Sequence, residues 1–293
     1  MKLGLGTVQF GLDYGIANRD GQTSLSEAAA ILEFAETRGI EILDTAASYG
    51  CSEEILGQLL PHQHSFSIVT KTPIFRKSAI TDEDAETLEL TFLRSLQRLR
   101  HPKVYGLLMH HASDLLAEGG WRLFERMLSL QQRGFISRVG VSVYSAREID
   151  EILSRYQCDL IQAPINVFDQ RLLADGHLQR LKQKGIEIHA RSIFLQGLLL
   201  MNPKTLPPYF DRFRPCFEKY HAYLKQQSLS PAGAALGFAL RSSGADAVIY
   251  GVNTLEQLRE LCHTECAINP QDFLAFAIDD PALVDPSNWR LVS

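Results

Sequence analysis

Short apolar runs alternate with longer stretches of helical periodicity along the whole chain, the rhythm of a parallel sheet built from strand-helix units. Strands are expected at 2–7, 40–44, 67–71, 104–109, 136–142, 160–163, 187–191 and 247–250. Between them lie amphipathic segments. Residues 25–38 place Ala28, Ile31, Leu32 and Ala35 on one stripe, and 81–100 do the same with Leu88, Phe92, Leu96 and Leu99. Ser24 and Glu27 have the spacing of a capping box that opens the first of these helices.

Eight alternations without a proline-rich or Gly/Ser linker predict an α/β fold of one domain over residues 1–293. That domain is a single (β/α)8 barrel with its active site at the C-terminal ends of the strands. A doubly wound sheet is the competing architecture. Against it, Gly4-Leu5-Gly6 lacks the third glycine of a dinucleotide fingerprint, which would fall at Gln9. Residues 201–230, with Pro203, Pro207, Pro208 and Pro215, break the rhythm and read as an elaborated loop before a helix at 231–241. Residues from about 267 to 293, carrying Phe273, Phe276 and Trp289, are expected to extend over the barrel mouth.

Composition narrows the function classes. Hydrophobic residues at 45% and charged residues at 22% suffice for a sizeable core. A net charge of −5 without a basic run argues against a nucleic-acid partner. The glycine-broken N-terminus lacks the apolar run of a secretory signal, and no segment reaches the ~18 apolar residues of a membrane span. A cytoplasmic protein is therefore expected. The odd set Cys51, Cys158, Cys216, Cys262 and Cys266 fits reduced thiols. Cys262 and Cys266 could supply two metal ligands, but no second pair completes a tetrahedral site, so no metal is expected.

Candidate chemistry gathers at three strand ends. Asp44 and Tyr49 lie at and just beyond the second strand, Lys71 ends the third, and His110 follows the fourth beside His111. Barrel enzymes draw their active groups from the C-terminal ends of several strands, so these side chains can converge. Hydride reduction of a carbonyl needs a proton donor for the developing alkoxide, and Tyr49 can supply it. Lys71 would draw the phenol toward working pH, Asp44 would keep Lys71 charged, and His110 would polarise the carbonyl. Taken singly, Asp44 also reads as a turn residue and Tyr49 as a loop aromatic. A lysine ending an apolar run is harder to explain structurally.

The segment Leu43-Asp44-Thr45-Ala46, then Tyr49-Gly50, then Ser52-Glu53 and Leu56-Gly57, resembles the second-strand signature of the aldo-keto reductase family. The likeness continues through Val139-Gly140-Val141-Ser142, Gln162-Ala163-Pro164-Ile165-Asn166, Gln196-Gly197-Leu198 and Ile249-Tyr250-Gly251-Val252, covering nearly the whole chain. It implies that Asp44, Tyr49, Lys71 and His110 are the family's catalytic tetrad. It also implies an extended nicotinamide cofactor, bound without a Rossmann domain, whose carboxamide is held by Ser142 and Gln162. Gln196 and Gly197 would lie further along the cofactor path.

NADP(H) is the cofactor that the resemblance favours. NAD(H) stays open, because the positions where the family places cations for the 2′-phosphate read Gly251, Asn253 and Gln257 here, with Arg259 a candidate substitute. Leu261 stands where the family has an adenine-contacting Asn, and Val143 where it often has Asn. Arg191 stands where it often has a Tyr stacked on the nicotinamide, and would either take that stacking role or bind an anionic substrate. The opening Leu5–Gly15 and Arg191–Gly197 segments resemble a bacterial subgroup associated with sugar or surface-polysaccharide metabolism. A small-molecule carbonyl is the partner implied, and the subgroup likeness points to a sugar-type one; the oligomeric state is left open. Two other functions remain: a regulatory protein that keeps the cofactor with little turnover, and a Schiff-base lyase using Lys71.

Overall fold

The computed structural model describes residues 2–264 and 268–290. Its eight strands are β1 (Lys2–Gly6), β2 (Ile42–Asp44), β3 (Ser67–Lys71), β4 (Val104–Met109), β5 (Ile136–Ser142), β6 (Leu160–Pro164), β7 (Glu187–Arg191) and β8 (Ala247–Gly251). They close in sequence order into a parallel barrel, with β8 pairing back onto β1 from Lys2↔Ala247 to Gly6↔Gly251. The expected (β/α)8 barrel is the fold, and closure removes the doubly wound alternative. The boundaries of β3, β4, β5 and β7 match the sequence expectation, while β2 is shorter, beginning at Ile42.

Side-chain alternation along a strand has a period of two, so one set of residues faces the barrel axis and the other faces the helices. Ile42, Val69, Leu108, Leu160, Ala247 and Ile249 form a compact apolar plug of their own. Most of the other buried apolar residues form a second and larger cluster, to which Leu43, Leu107, Val139, Ile161 and Ile188 contribute from the strands. The helices at Leu25–Thr37 and Asp82–Leu99 bury the stripes expected from their periodicity.

The first helix is capped in only half of the expected manner. Ser24 Oγ accepts from the Glu27 amide at 3.2 Å, but Glu27 Oε1 accepts instead from the Leu255 amide at 2.5 Å. The carboxylate is thereby diverted to tie this helix to the start of Leu255–His263.

Within 201–230 the chain forms short 3-10 turns and a 13-residue helix, Arg214–Gln226. Four prolines obscure this helix in the sequence, although Pro215 sits in its first turn, where its missing N–H costs nothing. Residues 268–290 pack alongside. Phe273 and Phe276 meet Tyr223 edge-on or tilted, and Gln170 Nε2 donates to the Phe273 carbonyl at 2.8 Å. Among the described residues, no helix is long and apolar enough to cross a membrane.

Candidate active site

The polar residues singled out in the sequence stand one layer above the barrel plug. Asp44, Lys71, His110, Ser142, Gln162 and Arg191 each follow by two residues an axis-facing position: Ile42, Val69, Leu108, Gly140, Leu160 and His189. The alternation that turns the plug inward therefore turns these six toward the same axis at the C-terminal mouth. All six line one cavity of about 660 Å³, together with Tyr49, Gln196, Gly197, Gly251, Asn253 and Gln257. These are all twelve of the candidate catalytic and cofactor-binding residues; Arg259, the candidate substitute cation, is not among the lining residues.

The centre of the site is a buried ion pair. Lys71 Nζ donates to Asp44 Oδ2 at 2.6 Å and to the Thr45 carbonyl at 3.0 Å. Gln162 Nε2 donates to the other Asp44 oxygen, Oδ1, at 2.7 Å. The Lys71 ammonium lies over the Tyr49 ring, 4.9 Å from its centroid, and the His110 ring meets that of Tyr49 edge-on at 6.0 Å.

Two glycines set the position of the Tyr49 loop. A Cβ on Gly11 would come within 1.8 Å of the Tyr49 carbonyl oxygen, and one on Gly50, at φ +55°, within 2.2 Å of the Gly11 oxygen. Only two bare backbones can approach this closely. Thr7 Oγ1, Thr45 Oγ1 and Ser52 Oγ bridge beneath at 2.8–3.1 Å.

Electrostatics define the protonation states. Burial, reinforced by the Asp44 carboxylate, pushes the Tyr49 phenol above its ordinary value, with Arg191 opposing. This differs from the sequence expectation that Lys71 would lower it. Lys71 sits over the ring face and its charge is neutralised by Asp44, so desolvation dominates. Burial also draws Lys71 itself downward against the pull of Asp44. His110 is lowered to about 3 by burial, with the charge of Lys71 second, so its imidazole is neutral at physiological pH.

The remaining residues define the rest of the cavity. Ser142 is buried at the end of β5, and Gln162 Oε1, fully buried, has no hydrogen-bond partner among the described residues. Arg191 is stacked on Tyr144, its guanidinium carbon 4.3 Å from the ring centroid. Asn253 and Gln257 are joined by a hydrogen bond of 2.7 Å from the Asn253 amide to Gln257 Oε1. Arg259, the candidate substitute cation, lies over Phe34, 5.6 Å from the ring centroid, and is absent from the cavity lining. Tyr14 and Phe194 line the cavity, whereas Phe75 and Trp289 stand outside it.

Sequence reasoning overlooked Tyr144, Ser192, Arg19 and Glu260, which also line the cavity. Tyr144 and Ser192 could have been found, since each lies within two residues of a strand's C-terminal end. Cys266, half of the cysteine pair considered above, lies outside the described residues.

The chain matches the Aldo/keto reductase family over residues 2–272 and belongs to that family. It is similar to pyridoxal 4-dehydrogenase of Microbacterium luteolum, with 24% identity over 88% of this chain and 87% of that protein. Aldo-keto reductase YhdN of Bacillus subtilis (strain 168) is 25% identical over 92% of this chain and 87% of its own. The solved holo form of aldo-keto reductase AKR11C1 from Bacillus halodurans superposes with a TM-score of 0.74 at 19% identity, covering 98% of this chain and 94% of that one. Membership makes the chain a carbonyl oxidoreductase of a family that generally binds nicotinamide cofactors.

Proposed function

We propose that this chain, working as one barrel domain, uses a nicotinamide cofactor to reduce an aldehyde or ketone to an alcohol, with Tyr49 as general acid. The observation that carries the reading is the buried Asp44–Lys71 pair at 2.6 Å, set against a Tyr49 whose hydroxyl has no protein hydrogen-bond partner among the described residues. When bound, the cofactor supplies hydride to the carbonyl carbon. The oxygen then becomes a strong base, and a phenol kept protonated by its surroundings has a proton to give it. Lys71, held by Asp44, lies over the ring face, and the charge of Arg191, which opposes the rise of the phenol, favours the phenolate left behind. The neutral His110 ring can offer one N–H to the same oxygen and polarise it without competing for the proton.

The residues present fit a nicotinamide. The orphaned Gln162 Oε1 is a buried acceptor that lacks a donor, and a carboxamide N–H at that point would satisfy it, with Ser142 beside it. Gln196, Gly197, Gly251, Asn253 and Gln257 would line the remainder of the cofactor path, and Arg191 borders the reacting end. NADP(H) is the family's common choice, but Asn253 and Gln257 are neutral and bonded to each other, and Glu260 on the same wall adds negative charge. These features support use of NAD(H) as well.

Separate fluorescence titrations with NADPH and NADH, followed by a panel of aldehydes that includes sugars, test the reading. Binding of at least one dinucleotide and Tyr49-dependent oxidation of it are expected. Loss of both would overturn the proposal, and binding without turnover would favour a regulatory role.

A further inference from the structure

We propose that the carbonyl compound reduced at this site carries an anionic group, a carboxylate or a phosphate, that pairs with Arg191; the inference rests on the reductase reading above. Three cationic side chains line the cavity: Arg19 at an exposed position, and Lys71 and Arg191 in the layer directly above the barrel plug. Lys71 has its counter-ion, Asp44, at 2.6 Å. Arg191 has none: among the described residues it forms no ion pair, and its acceptors are neutral. Nη1 donates to Ser192 Oγ at 3.0 Å, Nη2 donates to the Val143 carbonyl at 3.1 Å, and the buried Nε has no partner. Around it stand the rings of Tyr144, Tyr49 and Tyr14.

The nearby carboxylates are occupied or elsewhere. Asp169, close enough to feel the Arg191 charge, is bonded through both oxygens to Arg171 at 2.8 and 2.9 Å. Asp44 is bound to Lys71 and Gln162. Glu260 and Asp20 line the cavity without pairing with Arg191. A desolvated guanidinium left unpaired is costly, and the missing partner is an anion. Its free Nε–H and the second hydrogens on Nη1 and Nη2 form the planar fork that matches carboxylate or phosphate oxygens.

The fork is also held in place. Tyr144 supports one face, and the Tyr144 amide is anchored by Glu148 Oε2 at 2.5 Å. Ser192 adopts φ +57°, in the left-handed region that non-glycine residues avoid, and from there its hydroxyl reaches Nη1. Such second-layer support is what fixes a binding group before its ligand arrives. Arg191 shares the cavity with Tyr49 and His110, so one molecule can meet it and the proton donor together. The anionic group takes no part in the bond changes: hydride still adds to the carbonyl carbon, and Tyr49 still protonates the oxygen.

The test compares matched substrates with whichever dinucleotide binds: butanal against 4-oxobutanoate, and glyceraldehyde against glyceraldehyde 3-phosphate. In at least one pair kcat/KM should favour the charged member by about 10- to 100-fold, the range expected for hydrogen bonds to a charged group, and that pair distinguishes carboxylate from phosphate. Arg191→Gln should collapse the ratio, mainly through KM, and Arg191→Lys should restore part of it. The inference is overturned if neither pair favours the charged member, or if the preference survives in Arg191→Gln. It is equally overturned if Arg191→Gln weakens dinucleotide binding and leaves the ratio unchanged, which would assign Arg191 to the cofactor. Absence of turnover with every aldehyde would instead defeat the reductase reading. The Arg191 inference would then be judged by the rise in Tm on adding 4-oxobutanoate or inorganic phosphate: a rise lost in Arg191→Gln supports it, and no rise overturns it.

Discussion

The barrel carries a polar cluster at each end, and the two are built from the same kinds of side chain. At the N-terminal end, Glu187 of β7 accepts from the Tyr105 hydroxyl at 2.5 Å, lies 2.9 Å from His189 Nε2, and has Arg138 at 3.9 Å. At the C-terminal end, Asp44 has Lys71, Gln162 and the nearby Tyr49. Each set contains a carboxylate, a cation and a phenol. The difference is what the carboxylate holds. Glu187 takes the phenol's hydrogen bond directly, so Tyr105 has spent its proton on the protein. Asp44 is occupied by Lys71 and Gln162, so the Tyr49 proton remains available to the cavity. Polar groups in a barrel become a candidate active site when their mutual satisfaction is left incomplete next to open space.

The strongest way to break this comparison is to remove both phenols. Tyr49→Phe should lower carbonyl reduction by about 100- to 10,000-fold, the usual contribution of a general acid, while leaving dinucleotide fluorescence titrations intact. Tyr105→Phe should leave kcat unchanged. Equal loss of activity in the two variants would show that the distinction is false.

Stability should respond next. Lys71→Met strands the buried Asp44 carboxylate and should cost about 3–5 kcal/mol in urea unfolding. Glu187→Gln keeps the shape and an acceptor at the other end, and should cost about 1–3 kcal/mol. A smaller loss for Lys71→Met would mean that Asp44 takes up a proton or water freely.

Acid titration offers the finest separation. His110 has an ordinary value of 6.5 and a folded value of about 3, so between these the unfolded chain takes up a proton that the folded chain refuses. Stability from this residue is therefore full above pH 6.5 and declines as pH falls below it. Glu187 behaves otherwise: burial opposes, yet hydrogen bonds with His189 and Tyr105 and the charge of Arg138 hold it below its ordinary 4.5. Its contribution is present above 4.5 and is lost as pH falls through the depressed folded value. His110→Asn should thus flatten the decline in urea midpoint beginning near pH 6.5, and Glu187→Gln only the part below 4.5. Identical profiles would remove the electrostatic distinction between the two ends.

Much of the candidate site was legible because strand alternation is a local property. Once Ile42, Val69, Leu108 and Leu160 are assigned to the axis, Asp44, Lys71, His110 and Gln162 must follow on the same side, two residues on. The Arg214–Gln226 helix was hidden because proline in a first helical turn looks, in one dimension, like a loop signal. Half of the Ser24–Glu27 capping box was wrong because a distant amide, that of Leu255, competes for the same carboxylate. Neighbours more than 200 residues away leave no trace in local spacing.

The sequence alone therefore determined the eight strands, the inward row of ionisable residues and the family likeness, since each depends on periodicity or order along the chain. Tertiary structure decided which charges are neutralised: that Asp44 is bound to Lys71, that desolvation raises the Tyr49 phenol, and that Arg191 stacks on Tyr144 without a counter-ion among the described residues. Charge pairing and desolvation depend on distances between strands and on the depth of a cavity, and these exist only once the barrel has closed.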